Sequence, residues 1–189
     1  MKRILCYGDS NTFGYDPHSY IGSQYPDDIR WTGLLQGAGW EVANYGQNGL
    51  RIPREPQFSS VAGLLRRLNP DVVTVMLGGN DLLSGDTDEE AAARMEALLQ
   101  YMKENAGAAR ILLIAPPSMQ FGDWVQTQAL IDESVRLGGL YRLLAEKLGV
   151  AFADARMWGV GLTFDGVHFS PEGHAAFARG LIQALEMME

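Results

Sequence analysis

Five short apolar runs, separated by segments with helical periodicity, constrain the fold more than any other feature of this sequence. They cover residues 4–7, 41–45, 71–77, 110–115 and 150–153. The strongest is 71–77, which is rich in valine and lies between Asn69-Pro70 and Gly78-Gly79. Because these runs are almost continuously apolar, they favour strands of a parallel sheet that is covered on both faces.

The segments between these strands carry helical signals. Residues 86–90 place capping and acidic side chains at a helix start, and residues 127–148 form a longer helical stretch with a predicted weak point at Gly138-Gly139. The last helix begins with Ser170 as N-cap and Pro171 in its first turn. Apolar stripes with a period of 3.6 residues support two of these helices: Ala91, Met95, Leu98, Leu99 and Met102 in one, and Phe177, Leu181, Leu185 and Met188 in the last.

This alternation of strands and helices predicts an α/β fold, a three-layer α/β/α sandwich that forms a single domain over residues 1–189. We expect a five-stranded parallel sheet in the flavodoxin-like order 2-1-3-4-5. Ligands of such sheets bind beyond the carboxyl ends of the strands. The chemically suggestive motifs follow the first, second, third and fifth strands, so the sequence predicts that they converge at one edge of the sheet.

The charge balance limits the classes of partner. The formal net charge is -8, the sequence pI is near 4.9, and no basic cluster is longer than Arg66-Arg67. This disfavours nucleic acid, anionic membranes and polyanionic substrates. The single cysteine, Cys6, lies in the first apolar run and is expected to be a buried, inert thiol. The first apolar run is too short for a signal peptide and no run has transmembrane length, so we predict a cytoplasmic protein.

Two polar motifs supply the side chains of a serine hydrolase. The first apolar run ends in Gly8-Asp9-Ser10-Asn11-Thr12, and Asp165-Gly166-Val167-His168 follows the fifth. A carboxylate three residues before a histidine can orient the ring, which can then take a proton from Ser10. The G-x-S-x-G elbow of α/β-hydrolases is absent, because Thr12 stands two residues after the serine. The sequence gives His18 and His174 no comparably placed acid, and a surface or packing role is predicted for His174.

Two glycine-rich segments offer donors for an oxyanion. Asn44-Tyr45-Gly46-Gln47-Asn48-Gly49 follows the second strand, and Gly49 would let a backbone N–H approach a substrate closely. Gly78-Gly79-Asn80-Asp81 follows the third strand and presents the side-chain amide of Asn80. Each segment is equally compatible with an ordinary turn in which asparagine tolerates the left-handed region.

Taken together, these four blocks resemble those of the SGNH, or GDSL, hydrolase family in order and spacing over nearly the whole chain. The resemblance implies Ser10 as nucleophile, His168 as base and Asp165 as orienting acid. It implies an oxyanion hole made by the backbone N–H groups of Ser10 and Gly49 and the Asn80 side chain. Asp9 and Asp81 would hold their turns. Asn11 departs from the leucine of the GDSL motif.

Residues 8–14, Arg30-Trp31-Thr32-Gly33 and Pro116-Pro117 are most similar to the arylesterase and acyltransferase branch of that family. The branch implies a serine esterase that hydrolyses short-chain acyl esters of an aryl or small alcohol, with acetylated carbohydrate and acyl transfer left open. No metal or cofactor is expected, the partner is a small-molecule ester, and a homo-oligomer is an open expectation. Phe13 stands where this branch commonly has tryptophan. Residues on loops at the predicted edge are expected as pocket walls: Phe13, Leu50, Ile52, Phe121, Trp124, Phe164 and Val167.

Two other classes of protein share parts of this pattern. A metallophosphoesterase would need an early Asp-x-His and a Gly-Asn-His segment, whereas position 81 is Asp81 and the early motif is missing. A non-catalytic flavodoxin-like binding module is the alternative from a different class. Gly46-Gln47-Asn48-Gly49 lacks the G-x-G-x-x-G spacing that would support nucleotide binding.

Overall fold

The structure, a computed structural model, describes residues 1–19 and 21–188. Five strands form one sheet: β1 (Arg3–Gly8), β2 (Glu41–Gly46), β3 (Val72–Met76), β4 (Arg110–Ala115) and β5 (Ala151–Asp154). All neighbouring strands are parallel, and their order is β2-β1-β3-β4-β5. The predicted sheet and strand order are therefore confirmed, and the carboxyl ends of all strands lie at one edge.

Seven α-helices accompany the sheet in the described part of the chain. They are α1 (Ser10–Phe13), α2 (Trp31–Gly37), α3 (Glu55–Leu68), α4 (Gly79–Leu83), α5 (Asp88–Asn105), α6 (Gln128–Leu148) and α7 (Pro171–Glu186). A single 3-10 turn, Ala155–Met157, follows β5. None of the helices that the structure describes has the length and apolarity needed to span a bilayer.

Alternating residues of each strand face the two helical layers. Leu5 and Val73 pack with residues of α3, α5 and α6 in one core cluster. Ile4 and Val72 face the opposite side and pack with α2 and α7, where Phe177 and Leu181 are fully buried. A sheet covered on both faces explains why the strands read as continuous apolar runs. The three-layer α/β/α arrangement is thus confirmed.

The helix starts follow their capping signals. The Thr87 hydroxyl caps α5 by accepting a hydrogen bond from the backbone N–H of Glu90, and the Glu90 carboxylate accepts one from the backbone N–H of Thr87. Ser170 caps α7 with Pro171 in its first turn, as predicted. The predicted weak point in α6 is wrong, because the helix runs through Gly138-Gly139 without a break. Gly138 is buried, and any side chain there would overlap the guanidinium of Arg156.

Candidate active site

Two glycines let the serine-bearing helix lie directly against the carboxyl ends of the central strands. Gly8 ends β1 and Gly46 ends β2. A Cβ atom at Gly8 would overlap the side chain of Thr12, and one at Gly46 would overlap the backbone of Phe13. Asp9 caps α1 by accepting a hydrogen bond from the backbone N–H of Asn11 at 3.0 Å. The chain is therefore fixed on both sides of Ser10.

Ser10, His168 and Asp165 form an unbroken row of hydrogen bonds. The distance from Ser10 Oγ to His168 Nε2 is 3.0 Å, and His168 Nδ1 lies 2.6 Å from Asp165 Oδ2. Because an ionised carboxylate can only accept, Nδ1 carries the proton and Nε2 accepts from the serine hydroxyl. All three residues are at least 95% buried, so Ser10 lies beneath the surface rather than on it.

The second oxygen of Asp165 is saturated with donors. Asp165 Oδ1 accepts from Thr163 Oγ1 at 3.0 Å and from the backbone N–H groups of Val167 and His168 at 2.9 Å each. Burial alone would raise the pKa of Asp165, but the hydrogen bonds from His168 and Val167 outweigh it and hold that pKa well below its usual range. Asp165 is therefore ionised across the neutral range and fixes the orientation of the imidazole.

Donors from two further strand ends face the same place. Gln47 to Leu50 form a tight turn, closed by a bond from Leu50 N–H to the Gln47 carbonyl at 3.1 Å. Gly49 is its third residue and has a φ of +73°, which glycine adopts without strain. Asn80 Nδ2 donates one hydrogen to the Leu50 carbonyl at 3.1 Å, which orients its amide and leaves the second hydrogen available. Within the described residues, the N–H groups of Ser10 and Gly49 have no hydrogen-bond acceptor.

A buried carboxylate ties these donors together. Asp81 has no exposed surface, and its side chain accepts from the backbone N–H of Ile52 and from Arg94 Nη2, each at 3.0 Å. Asp86 contacts both Arg94 and Arg51. This network joins the Asn80 helix to the loop that carries Gly49. Asp9 lies beneath Ser10, where burial raises its pKa to about 6.

The row of hydrogen bonds opens into a cleft of about 250 Å³. The cleft is lined by Ser10, Tyr15, Asn48, Gly49, Asn80, Trp124 and His168. Two aromatic rings flank the imidazole: the centroid of Tyr15 lies 4.8 Å from that of His168, and the edge-on ring of Trp124 lies at 4.9 Å. A small ester held here would have its carbonyl near Ser10 and its substituents against aromatic walls.

The structure brings together the five residues predicted for the triad and the oxyanion hole, but only one of the seven predicted wall residues lines this cleft. Trp124 does so. Ile52 is 3% exposed and packs in the core, and Val167 faces a small inner cavity instead. Leu50 contributes its carbonyl to Asn80. Phe13, Phe121 and Phe164 are also absent from the lining, and the last two project to the surface.

Sequence reasoning missed Tyr15 and Asn48, which line the cleft. Asn48 belongs to a segment already noted for Gly49, whereas nothing in the local sequence distinguishes Tyr15. His18 Nδ1 lies 3.4 Å from Asp16, but this pair is at the surface and His18 does not line the cleft. His174 is fully buried, as its packing role required, and burial lowers its pKa to about 4. Cys6 is buried, and burial raises its pKa to about 12.

Solved structures resemble this chain along its whole length. An aryl esterase from M. smegmatis, determined with an inhibitor, is 27% identical with a TM-score of 0.87, and the match covers 100% of each chain. A carbohydrate acetylesterase from Sinorhizobium meliloti is 25% identical with a TM-score of 0.85, again over 100% of each chain. A member of the lipolytic protein G-D-S-L family from Veillonella parvula shares the fold at 16% identity, with a TM-score of 0.77 over 97% of each chain. No curated protein matches the sequence.

The sequence itself matches the GDSL-like lipase/acylhydrolase family over residues 6–176. That stretch begins inside β1 and ends inside α7, so it includes the end of β1, the other four strands and all four polar motifs. Neither a metallophosphoesterase nor a non-catalytic binding module agrees with this match. The chain belongs to the GDSL-like lipase/acylhydrolase family and is a serine ester hydrolase.

Proposed function

We propose that this enzyme hydrolyses short-chain acyl esters through an acyl-enzyme formed on Ser10. The observation that carries the proposal is the row of hydrogen bonds from Ser10 through His168 to Asp165, with its serine end in the cleft. A hydroxyl that donates to an imidazole, which in turn donates to an ionised carboxylate, is the arrangement that activates a serine for acyl transfer.

In the first half-reaction, Ser10 Oγ forms a bond to the acyl carbon while its proton passes to His168 Nε2. The carbonyl electron pair moves onto oxygen, where the N–H groups of Ser10 and Gly49 and the Asn80 amide would stabilise the negative charge. The oxyanion then collapses, the bond to the leaving alcohol breaks, and His168 gives its proton to that alcohol. Asp165 stabilises the imidazolium without taking its proton.

In the second half-reaction, water attacks the acyl-enzyme and gives its proton to His168. A second oxyanion forms in the same place, and its collapse releases the carboxylic acid while His168 returns the proton to Ser10. An alcohol in place of water would give a new ester, so acyl transfer stays a prediction. It is measured as the ratio of ester to acid formed in the presence of an added alcohol.

The walls of the cleft support a small acyl group. About 250 Å³ is available beside Ser10, and the rings of Tyr15 and Trp124 both contact the imidazole. Flat aryl groups and sugar faces are the leaving alcohols that such rings contact well. The relatives named as an aryl esterase and a carbohydrate acetylesterase are consistent with both alcohol classes.

The proposal is tested by replacing Ser10 with alanine and measuring hydrolysis of p-nitrophenyl acetate. Ser10→Ala removes one buried hydroxyl and is expected to lower kcat by at least about a thousandfold while the protein stays folded. Ser59→Ala, which removes an exposed hydroxyl on α3, is the matched control and is expected to match the wild type. A folded Ser10→Ala protein with most of its activity would rule out Ser10 as the nucleophile.

A further inference from the structure

The backbone on either side of His168 is held by a single side chain from the serine loop. Asn11 directly follows Ser10. Its Nδ2 donates to the carbonyl of Val167 at 3.1 Å, and its Oδ1 accepts from the backbone N–H of Phe169 at 2.9 Å. Val167 and Phe169 are the two chain neighbours of His168. The Asn11 amide therefore brackets the histidine backbone.

This bracket needs an amide in particular. A backbone carbonyl can only accept and a backbone N–H can only donate, so the two partners fix which end of the Asn11 amide points to each. In a parallel sheet, the backbone of one residue donates to the carbonyl of one residue and accepts from the N–H of another, and these two flank its partner on the next strand. The Asn11 amide makes the same pair of hydrogen bonds with Val167 and Phe169. The leucine that gives the GDSL motif its last letter could form neither bond.

Asn11 is itself fixed at both backbone groups. Its N–H donates to Asp9 Oδ1 at 3.0 Å, and its carbonyl accepts from Nε1 of Trp31 at 2.8 Å. Trp31 is 1% exposed and packs against Phe177 of α7. The amide is thus anchored in the core on one side and holds the histidine segment on the other. It does not line the 250 Å³ cleft. Together with Ser10 and Asn80 it lines the small inner cavity, whose volume of about 20 Å³ is too small for an ester.

We propose that Asn11 is a positioning residue that sets the separation between Ser10 Oγ and His168 Nε2. The inference rests on the proposed roles of Ser10 and His168. With the amide present, the two reacting groups lie 3.0 Å apart although they are 158 residues apart in sequence. Without it, the backbone on both sides of His168 loses its contact with the serine loop, and the ring can move away from the hydroxyl.

A displacement of about 1 Å from the reactive geometry can cost about a hundredfold in rate. For Asn11→Leu, which keeps the branching of the side chain but has no polar group, we expect kcat to fall by roughly ten- to a hundredfold. KM should stay within about twofold of the wild type because the cleft walls are unchanged. Asn11→Asp keeps the acceptor for Phe169 but cannot donate when ionised, so its kcat is expected between those of the wild type and Asn11→Leu.

The experiment compares the wild type, both Asn11 variants and Asn105→Leu. The last is a matched control, because Asn105 Nδ2 donates to the Tyr101 carbonyl at 2.8 Å at the far end of α5. Three quantities are measured for each protein: kcat and KM with p-nitrophenyl acetate, the second-order rate of labelling by a fluorophosphonate probe, and Tm. We expect kcat and the labelling rate to fall together in the Asn11 variants and to stay unchanged in Asn105→Leu.

A residue that only stabilises the fold would lower Tm and leave kcat per folded molecule and the labelling rate unchanged. That result in Asn11→Leu, or an effect confined to KM, would overturn the inference. If Asn11→Leu does not fold, Asn11→Asp tests the inference instead. We then expect its kcat to be at least about threefold below that of the wild type, with KM unchanged. Ser10→Ala is measured in the same series. If Ser10→Ala is inactive while Asn11→Leu is fully active, only this inference is rejected. If Ser10→Ala is itself active, the proposed function is rejected.

Discussion

Two of the proposed oxyanion donors, the N–H of Gly49 and the amide of Asn80, have their direction set before any substrate arrives. The turn at Gly49 is closed by its own backbone hydrogen bond, and Asn80 is held by the Leu50 carbonyl next to it. The buried Asp81 joins the two segments. Donors that are held in advance stabilise a developing charge without reorganisation during the reaction, which is why such groups contribute strongly to kcat.

Replacing Asn80 with alanine removes one of these donors. We expect kcat for p-nitrophenyl acetate to fall by roughly a hundred- to a thousandfold with a much smaller change in KM, because the charge develops only in the transition state. Asn80→Asp, which has the same size but cannot donate when ionised, should lose as much. A change in KM alone would mean that Asn80 binds the ground state or only shapes its turn.

His174 and Asp9 should affect stability in opposite senses between about pH 4 and pH 6.5. Burial lowers the pKa of His174 to about 4, so the unfolded chain binds the extra proton and stability is lost as the pH falls through this window. Burial raises the pKa of Asp9 to about 6, so the folded chain binds that proton and stability is gained over much the same range. The pH dependence of the wild type is therefore partly cancelled.

His174→Phe isolates one of the two effects, because its ring can still pack between Tyr25 and Phe169. The free energy of unfolding of the variant relative to the wild type should rise by up to about 3 kcal/mol as the pH falls from 6.5 to 4. Urea unfolding at a series of pH values measures this difference. Parallel curves for the two proteins would show that His174 does not titrate in this way.

At the scale of elements, the loop between β4 and α6 is bonded along its length to the loop that carries Asp165. Gln120 N–H donates to the Gly166 carbonyl at 3.1 Å, Asp123 N–H to the Phe164 carbonyl at 3.2 Å and Trp124 N–H to the Asp165 carbonyl at 3.1 Å. Gly122 lies so close that a Cβ atom there would overlap the backbone of Asp165 and Gly166. The loop that carries Trp124 into the cleft therefore also holds the acid.

Gly122→Ala should push the Asp165 backbone away and disturb its bond to His168. We expect kcat to fall by about tenfold or more, because a displaced carboxylate holds the imidazole less firmly in the orientation that accepts the serine proton. Gly139→Ala is the matched control, since nothing lies within 4 Å of a Cβ at that helical glycine. Equal kcat values in the two variants would contradict this role.

The elements could be predicted from the sequence where they have a period or a clear boundary. The five strands could be predicted because each apolar run ends at glycine, proline or a polar residue. The helices α1 and α4 could not be predicted, since a helix of four or five residues shows no periodicity. The need for glycine at position 138 comes from Arg156, which lies on a later segment, and local propensity contains no such information.

The same limit applies to the site. The residues proposed for the triad and the oxyanion hole stand in short motifs that follow strands, so their convergence could be predicted from the parallel sheet alone. The walls of the cleft could not be predicted in this way, because Tyr15 reaches the cleft only through tertiary packing beside His168. Ile52 looked like a wall residue from its place in a loop, but that loop turns inward and buries it.

At the scale of the whole molecule, the cleft is small and the chain is acidic. The net charge of -8 disfavours polyanionic esters, and aromatic rings narrow the space beside Ser10. We therefore expect kcat/KM for p-nitrophenyl esters to be highest between two and four acyl carbons and to decline with longer chains. A series from two to twelve carbons measures this, and a maximum at eight carbons or more would contradict the account of the cleft.

The central claim, that Ser10 is activated by His168 and forms the acyl-enzyme, is tested most directly by locating a covalent adduct. A fluorophosphonate probe reacts with an activated serine, and peptide mass spectrometry identifies the residue that carries it. We expect one adduct, on Ser10, and its loss in a folded His168→Ala variant. An adduct on another residue, or labelling of Ser10 at an unchanged rate in His168→Ala, would contradict the claim.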